Sequence, residues 1–185
     1  MSRTPSNMIP LGTIAPDFTL YDTVTSKKIS LEYLYGINAT VIFFICNHCP
    51  FVIHVNNELV KIANKYSYRG ISFIGISSND VVNYPQDSPE LMKEVAEELK
   101  YPFPYLYDET QEVAKLYAAA CTPDFYVFDA NLKLNYRGQL DDSRPGNGLE
   151  VNGKDLRNAL ECILNNEKNT SVQKPSIGCN IKWRK

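Results

Sequence analysis

The sequence predicts one α/β domain: a central mixed β-sheet flanked by helices on both faces, with an N-terminal β-hairpin extension and a C-terminal tail. Three observations lead there. Val41-Ile42-Phe43-Phe44-Ile45 is an unbroken apolar run, the mark of a strand buried on both faces. Phe51, Val55, Leu59 and Ile62 follow at helical spacing, which sets them on one face. Ile71 to Ser77 is then a second apolar strand, and the three together make a βαβ unit expected to cross over right-handed.

The rest of the chain is assigned in order. Residues 1–10 read as a flexible arm, residues 11–166 as the domain and residues 167–185 as a tail packed on or near it. Leu11 to Leu20 leads into a short strand, Thr23 to Lys27 is a turn, and Lys28 to Ser30 returns. Ser30 is placed to cap a short helix over residues 31–35 that Gly36 ends. After the buried strand, from about Thr40 to Ile45, the central helix runs to Ser67 and is closed by Arg69-Gly70. Ser88-Pro89-Glu90 is a helix start, with an N-cap, a proline at the first position and an acid in the first turn. Residues 102–107 form a connection and a short strand, and Thr110 to Ala119 a helix. Strands at 124–128 and 132–140 flank a hairpin turn at Asp129-Ala130-Asn131. A loop rich in Pro, Gly and Asn precedes a last helix from Asp155 to Asn165, N-capped by Asp155 or a neighbour.

Bulk properties exclude several classes. A chain of 185 residues can bury a sizeable core. The net charge of −2 gives no basis for binding nucleic acid or an anionic membrane surface. No apolar stretch approaches the ~20 residues of a membrane span, and residues 1–9 lack an apolar signal-peptide core. The expected location is therefore cytoplasmic. Five cysteines, an odd number, do not suggest a secreted disulfide framework.

The chemistry centres on Cys46-Asn47-His48-Cys49-Pro50, where the buried strand gives way to the helix. The first turn of a helix has unpaired N–H groups and a partial positive charge, which favour a thiolate. A Cys-x-x-Cys thiol at such a place can have a pKa of ~3.5 to ~7.5. Residues three apart on a helical turn lie close together, so one sulfur can resolve what the other forms. Pro50 fits the first turn, and a cationic His48 would further favour a thiolate.

The order of elements around Cys46-x-x-Cys49 resembles the thioredoxin fold. Thr122-Pro123 stands immediately before a strand, where thioredoxins keep a cis-proline facing the disulfide. Gly12-x-x-Ala15-Pro16-Asp17-Phe18-x-Leu20 is similar to the N-terminal extension of the peroxiredoxin and redoxin branch. With Cys121-Thr-Pro-Asp-Phe125, Gln139-Leu-Asp-Asp-Ser-Arg-Pro145 and Gly178-Cys-Asn-Ile-Lys-Trp183, the chain from Leu11 to Trp183 resembles a peroxiredoxin-like, thioredoxin-superfamily group. The resemblance implies a thiol–disulfide oxidoreductase: Cys46 the nucleophile, Cys49 the resolving thiol, and Pro123 holding the substrate backbone in register. It implies no organic cofactor and no metal. Its partners would be a disulfide-containing protein, a small thiol or a peroxide, with reducing equivalents from an upstream dithiol. Typical peroxiredoxins carry Thr-x-x-Cys-Pro at this helix. Here Cys46 takes the threonine's place, and Pro123 or a neighbour that of the peroxidase arginine. A thiol peroxidase with Cys49 as peroxidatic thiol is the alternative, and a non-catalytic Cys/His protein binding a metal or a partner is the third reading.

Further candidates surround this centre. Cys121, beside Thr122-Pro123, reads as a third redox thiol, a metal ligand or a small apolar filler. Cys179 in the tail can reach back as a second resolving thiol. Cys162 reads as core, and His54 as a helix-surface residue. Asp17 and Asp124 are candidates for proton handling. Arg144 is placed to line a substrate groove, and Tyr84, Tyr101, Tyr105 and Tyr107 a peptide-binding surface.

Overall fold

The structure, a computed structural model, describes residues 3–185; Met1 and Ser2 of the expected arm lie outside the described residues. The buried run forms β4 (Ala39–Phe44), all six residues of which are buried. The helix it feeds is α1 (Pro50–Ser67), and the next strand is β5 (Ile71–Ser77), parallel to β4. The N-terminal extension is a hairpin, β2 (Thr19–Asp22) and β3 (Lys27–Ser30). Downstream come α2 (Pro89–Glu98), β6 (Tyr105–Tyr107), α3 (Glu112–Leu116), the two-residue β7 (Cys121–Thr122), the antiparallel pair β8 (Asp124–Asp129) and β9 (Leu134–Gly138), and α4 (Lys154–Leu164). The main sheet runs in the order β3-β2-β6-β5-β4-β8-β9. β4 and β6 lie parallel to β5, and the outer pairings are antiparallel.

Alternation along β4 builds a core on each side. Val41 and Phe43 pack with Val55, Leu59 and Ile62 of α1. Ile42 and Phe44 point the other way, into a cluster with Tyr117 and Tyr126. No helix among the described residues is long and apolar enough to cross a membrane.

Of three expected helix caps, one is met and two change. Ser88 caps α2 as its sequence indicates, accepting the Leu91 amide at 3.4 Å. Ser30 makes no cap bond to the 3₁₀ turn Leu31–Tyr33; its hydroxyl faces Thr19 at 3.2 Å instead. At α4 the N-cap is Gly153, not Asp155. The carboxylate of Asp141, from the preceding loop, accepts the Asn152 and Gly153 amides at 2.7 and 2.6 Å. Gly153 has φ +65°, and a Cβ there would meet Ile62 Cδ1 at 2.4 Å.

The largest departure concerns the two ends of the described chain. Arg3–Pro5 is a strand, β1, rather than a loose arm, and Ile177–Asn180 of the tail is a strand, β10. They form a separate antiparallel sheet in the order β1-β10-β7, with Arg3 opposite Cys179 and Cys179 opposite Thr122. Strands of three and four residues are too short to show a period, so neither was visible as a pattern.

Candidate active site

The sheet register begins the site. β4 pairs with β8 so that Phe44 faces Asp124. Carried two residues past both strand ends, that register sets Cys46 against Thr122. Cys46 Sγ lies 3.5 Å from Thr122 Oγ1. The Thr122–Pro123 peptide is cis. Cys49 is the N-cap of α1, with Pro50 at the first helical position. Its sulfur lies 3.2 Å from the Thr122 carbonyl oxygen and 2.9 Å from Cys179 Sγ. Cys46, Cys49, Thr122, Pro123 and Cys179 thus converge. Cys46, Cys49 and Cys179 are 2 %, 0 % and 2 % exposed, so a substrate reaches them only through a local opening.

Cys121 does not join them through its side chain. Neighbouring residues of a strand point to opposite faces, and Cys121 Sγ donates to the Pro123 carbonyl at 3.8 Å. Burial pushes its thiol up. Cys162 is half-buried on α4, not core.

The sulfurs differ in acidity. The Cys46 thiol is the largest cause lowering Cys49, and outweighs burial; the Cys179 thiol, Thr122 and the Val52 amide add to it, and Cys49 is brought down to about 5. The same pairing, with burial and the Asp87 charge, raises Cys46 well above the ordinary thiol range. Burial, then the bond to Cys49, pushes Cys179 up to about 12. These directions favour the thiolate at Cys49, with Cys46 and Cys179 as thiol donors beside it. The contributors are thiol, hydroxyl and amide donors at a helix start, not a guanidinium.

Asp87, which the sequence reading passed over, organises the loop between the cysteines. Its fully buried carboxylate accepts the Asn47 and His48 amides at 2.9 and 3.3 Å and the Asn79 side-chain amide at 2.8 Å, and bonds His48 Nδ1 at 2.7 Å. Tyr105 Oη donates to Asn47 Oδ1 at 3.1 Å. His48 is therefore paired with Asp87 and stacked on Tyr84, ring centroids 5.8 Å apart, rather than turned to a sulfur. Cys46, His48 and Asp87 have donor atoms within 4.8 Å of one another. That set is three, where a structural zinc site uses four, and Asp87 is already filled by N–H donors. Asp87→Asn should let Cys46 ionise more readily, since it removes a charge that holds the thiol up. Iodoacetamide labelling of Cys46, followed by peptide mass spectrometry against pH, should show its onset at lower pH than in the parent; an unmoved or higher onset would contradict this.

The other candidates lie elsewhere. Asp17 is exposed and accepts the Phe18 amide at 2.8 Å. Asp124 is fully buried against Arg137, Oδ2 to Nη2 2.9 Å, with burial pushing its carboxyl up to about 6 against the opposing pull of Arg137. Arg137 also stacks 4.2 Å from the Tyr126 ring centroid. Tyr126 belongs to the second core, while Cys46 and Cys49 border the first. Arg144 donates to the Asp141 and Ser143 carbonyls and to the Gln139 side chain, bracing its own loop. With His54, Phe51 and Pro123 it lines a cleft beside the cis peptide. His54 is half-buried there, Nε2 2.7 Å from Ser143 Oγ. Tyr105 and Tyr107 are buried strand residues, so only Tyr84 and Tyr101 reach the surface in part.

Comparison with known proteins matches this architecture. No curated protein matches the chain. An uncharacterized conserved protein from Geobacillus kaustophilus is 60 % identical, with 100 % of this chain and 97 % of that one covered and a TM-score of 0.98. A hypothetical protein from Sinorhizobium meliloti 1021 is 44 % identical over 98 % of both chains, TM-score 0.95. The thioredoxin domain of a thiol-disulfide oxidoreductase from Bacteroides vulgatus shares the fold at 18 % identity, covering 81 % of this chain and 97 % of its own, TM-score 0.62. The AhpC/TSA family matches residues 11–137. By that match the chain belongs to the AhpC/TSA family, and its fold is thioredoxin-like with thiol-based redox chemistry at its centre.

Proposed function

We propose that the chain is a thiol–disulfide oxidoreductase in which Cys49 is the attacking thiolate and Cys46 a resolving thiol, beside the Thr122–Pro123 peptide. The observation that carries this reading is the placement of Cys49 at the N-cap of α1, its sulfur 2.9 Å from Cys179 Sγ and 3.2 Å from the Thr122 carbonyl oxygen, and the lowered Cys49 thiol accords with it. The roles of Cys46 and Cys49 are thereby exchanged from those the resemblance implied. The reason is local: α1 starts at Pro50, so Cys49, not Cys46, stands at the helix N-cap. The substrate is a disulfide of a protein or a small thiol, and a dithiol restores the reduced state.

A thiol peroxidase is the second reading, favoured by the Cys49-Pro50 helix start. Against it stand Cys46, which replaces an orienting hydroxyl, and Arg137, which is spent on Asp124. The two are separated by giving the reduced chain either a disulfide or dilute hydrogen peroxide with a dimedone-type trap, and mapping the cysteines. Faster oxidation by the disulfide is expected. Trapping of Cys49 sulfenic acid within seconds at low peroxide would hand the activity to the peroxidase.

A further inference from the structure

β10 lies where its own sequence lets it touch the reactive peptide. Gly178 packs so closely on Thr122–Pro123 that a Cβ there would sit 1.9 Å from the Thr122 oxygen and 2.6 Å from its carbonyl carbon. The next residue, Cys179, is in register with Thr122, and its sulfur reaches Cys49. Beyond it the tail is pinned: Ile181 N–H donates to Ala120 O at 3.1 Å, Asp80 N–H to Lys182 O at 2.8 Å, and Gln111 Nε2 to Lys182 O at 2.8 Å. On the other side, Ser6 N–H donates to Ser176 O at 2.9 Å. Cys179 is thus held by a strand, a close backbone contact and anchors on both flanks.

We propose that β10 is a tethered substrate strand, and that Cys179 rather than Cys46 is the first thiol to resolve a disulfide formed on Cys49. The proposal rests on the reading of Cys49 as the attacking thiolate. The steps balance. Cys49 thiolate attacks one sulfur of a disulfide R–S–S–R; that bond breaks, one R–S⁻ leaves and takes a proton, and Cys49–S–S–R remains. Cys179 loses its proton, its sulfur attacks the Cys49 sulfur, and the second R–S⁻ leaves and is protonated. Two cysteine thiols are oxidised to Cys49–S–S–Cys179, and one disulfide is reduced to two thiols R–SH.

Position puts Cys179 first, its sulfur 2.9 Å from Cys49 Sγ on a strand seated against Thr122, and charge permits it. Both neighbouring thiols are held protonated partly by Cys49 itself. Once Cys49 is capped, that contribution disappears for both. What remains is burial against both, with the Asp87 charge against Cys46 and the Thr122 hydroxyl for it, and Lys182 for Cys179. The attack of Cys179 is therefore enabled by the preceding step, and a dithiol donor or Cys46 can then reopen the bond.

The test is peptide mapping of the whole chain, reduced, given one equivalent of hydroxyethyl disulfide and quenched with acid at intervals. Cys46→Ser, which removes the donor that most lowers Cys49 and so slows the first attack, should still carry capped Cys49 on to the Cys49–Cys179 bond without accumulating the capped form. Cys179→Ser should accumulate hydroxyethyl-capped Cys49. Gly178→Ala, which must push β10 off the peptide, should slow the Cys49–Cys179 bond by about a hundredfold, the scale of a 1 Å misplacement, while Cys49 remains open to alkylation. If Cys179→Ser closes Cys46–Cys49 as fast as the parent is resolved, and Cys46→Ser stalls with capped Cys49, Cys179 has no part in resolution. If the double variant Cys46→Ser/Cys179→Ser takes no hydroxyethyl group on Cys49, the oxidoreductase reading falls and this proposal with it. A double variant that is capped confines any failure to Cys179.

Discussion

Cys49→Ser should reduce disulfide exchange by about 10³-fold or more, as when an enzyme loses its nucleophile, whereas Cys46→Ser should keep a slower first attack, having lost the donor that most lowers Cys49. The two acts separate because exchange needs a thiolate to start and a second sulfur only to finish. In the parent, alkylation of Cys49 should be nearly independent of pH above neutrality and fall about tenfold per pH unit once pH drops below about 5, where Cys49 protonates. A free thiol instead loses rate below ~8.5, so the profile distinguishes the two without a structural probe. The same shift links to stability. The folded Cys49 pKa is depressed below its unfolded value, so its contribution is present in full above ~8.5 and is lost as pH falls through about 5. Denaturation midpoints of the parent should carry this component and those of Cys49→Ser should lack it. A Cys49 alkylation rate that climbs through pH 8 to 9 would refute the assignment of the thiolate.

Arg137→Met should cost about 3–5 kcal/mol at neutral pH, the range for stranding one member of a buried ion pair. Both side chains are fully buried, and the guanidinium also donates to Ala118 O at 3.0 Å. The sign with pH follows from Asp124. Its folded pKa, about 6, lies above the unfolded value of ~3.9. The native state therefore holds the extra proton between about 4 and 6, and this group's contribution to stability declines as pH rises through that window. Removing Arg137 leaves the carboxylate without its counter-charge, so the cost should shrink as pH is lowered and Asp124 is neutralised. Replacing both residues by apolar ones of similar volume should recover most of the loss. Urea titrations of the parent, the single and the double variants at pH 5 and pH 7.5 read all three effects. A single variant within about 1 kcal/mol of the parent at pH 7.5 would show that the pair is not the buried unit described.

The residues that declare themselves in sequence are those whose role is local. The apolar run of β4, the spacing of α1 and the Cys-x-x-Cys between them each need only a few neighbours to be read. Pro123 was placed through resemblance, and the peptide before it is cis. Asp87, Arg137 and the position of Cys179 were not legible in this way. Asp87 sits in an ordinary polar stretch, and becomes an acceptor for the active loop 39 and 40 residues away only when the fold closes. Arg137 alternates with apolar residues as an outward strand residue would, yet is covered on its polar side by Tyr126 and Asp124. His48 was read from its nearest sequence neighbours, the cysteines, when its partner is a carboxylate from another loop. Cys179 lay in a stretch without a period, and its seat depends on a glycine whose need for space belongs to Thr122, far away in the chain.

The small sheet β1-β10-β7 also fixes an order of events during synthesis. β10 is made after every strand of the main sheet, so the Cys46–Cys49 loop, the cis-proline segment and β9 can leave the ribosome before residues 177–180 exist. At about 5–20 residues per second the interval is a few seconds. For that time the nascent domain has a strand edge at β7 without its cover and a cysteine pair without its third thiol. β1, made before β10, waits equally for it as its partner. The growing chain thus carries its redox centre open before the arrival of β10 closes it.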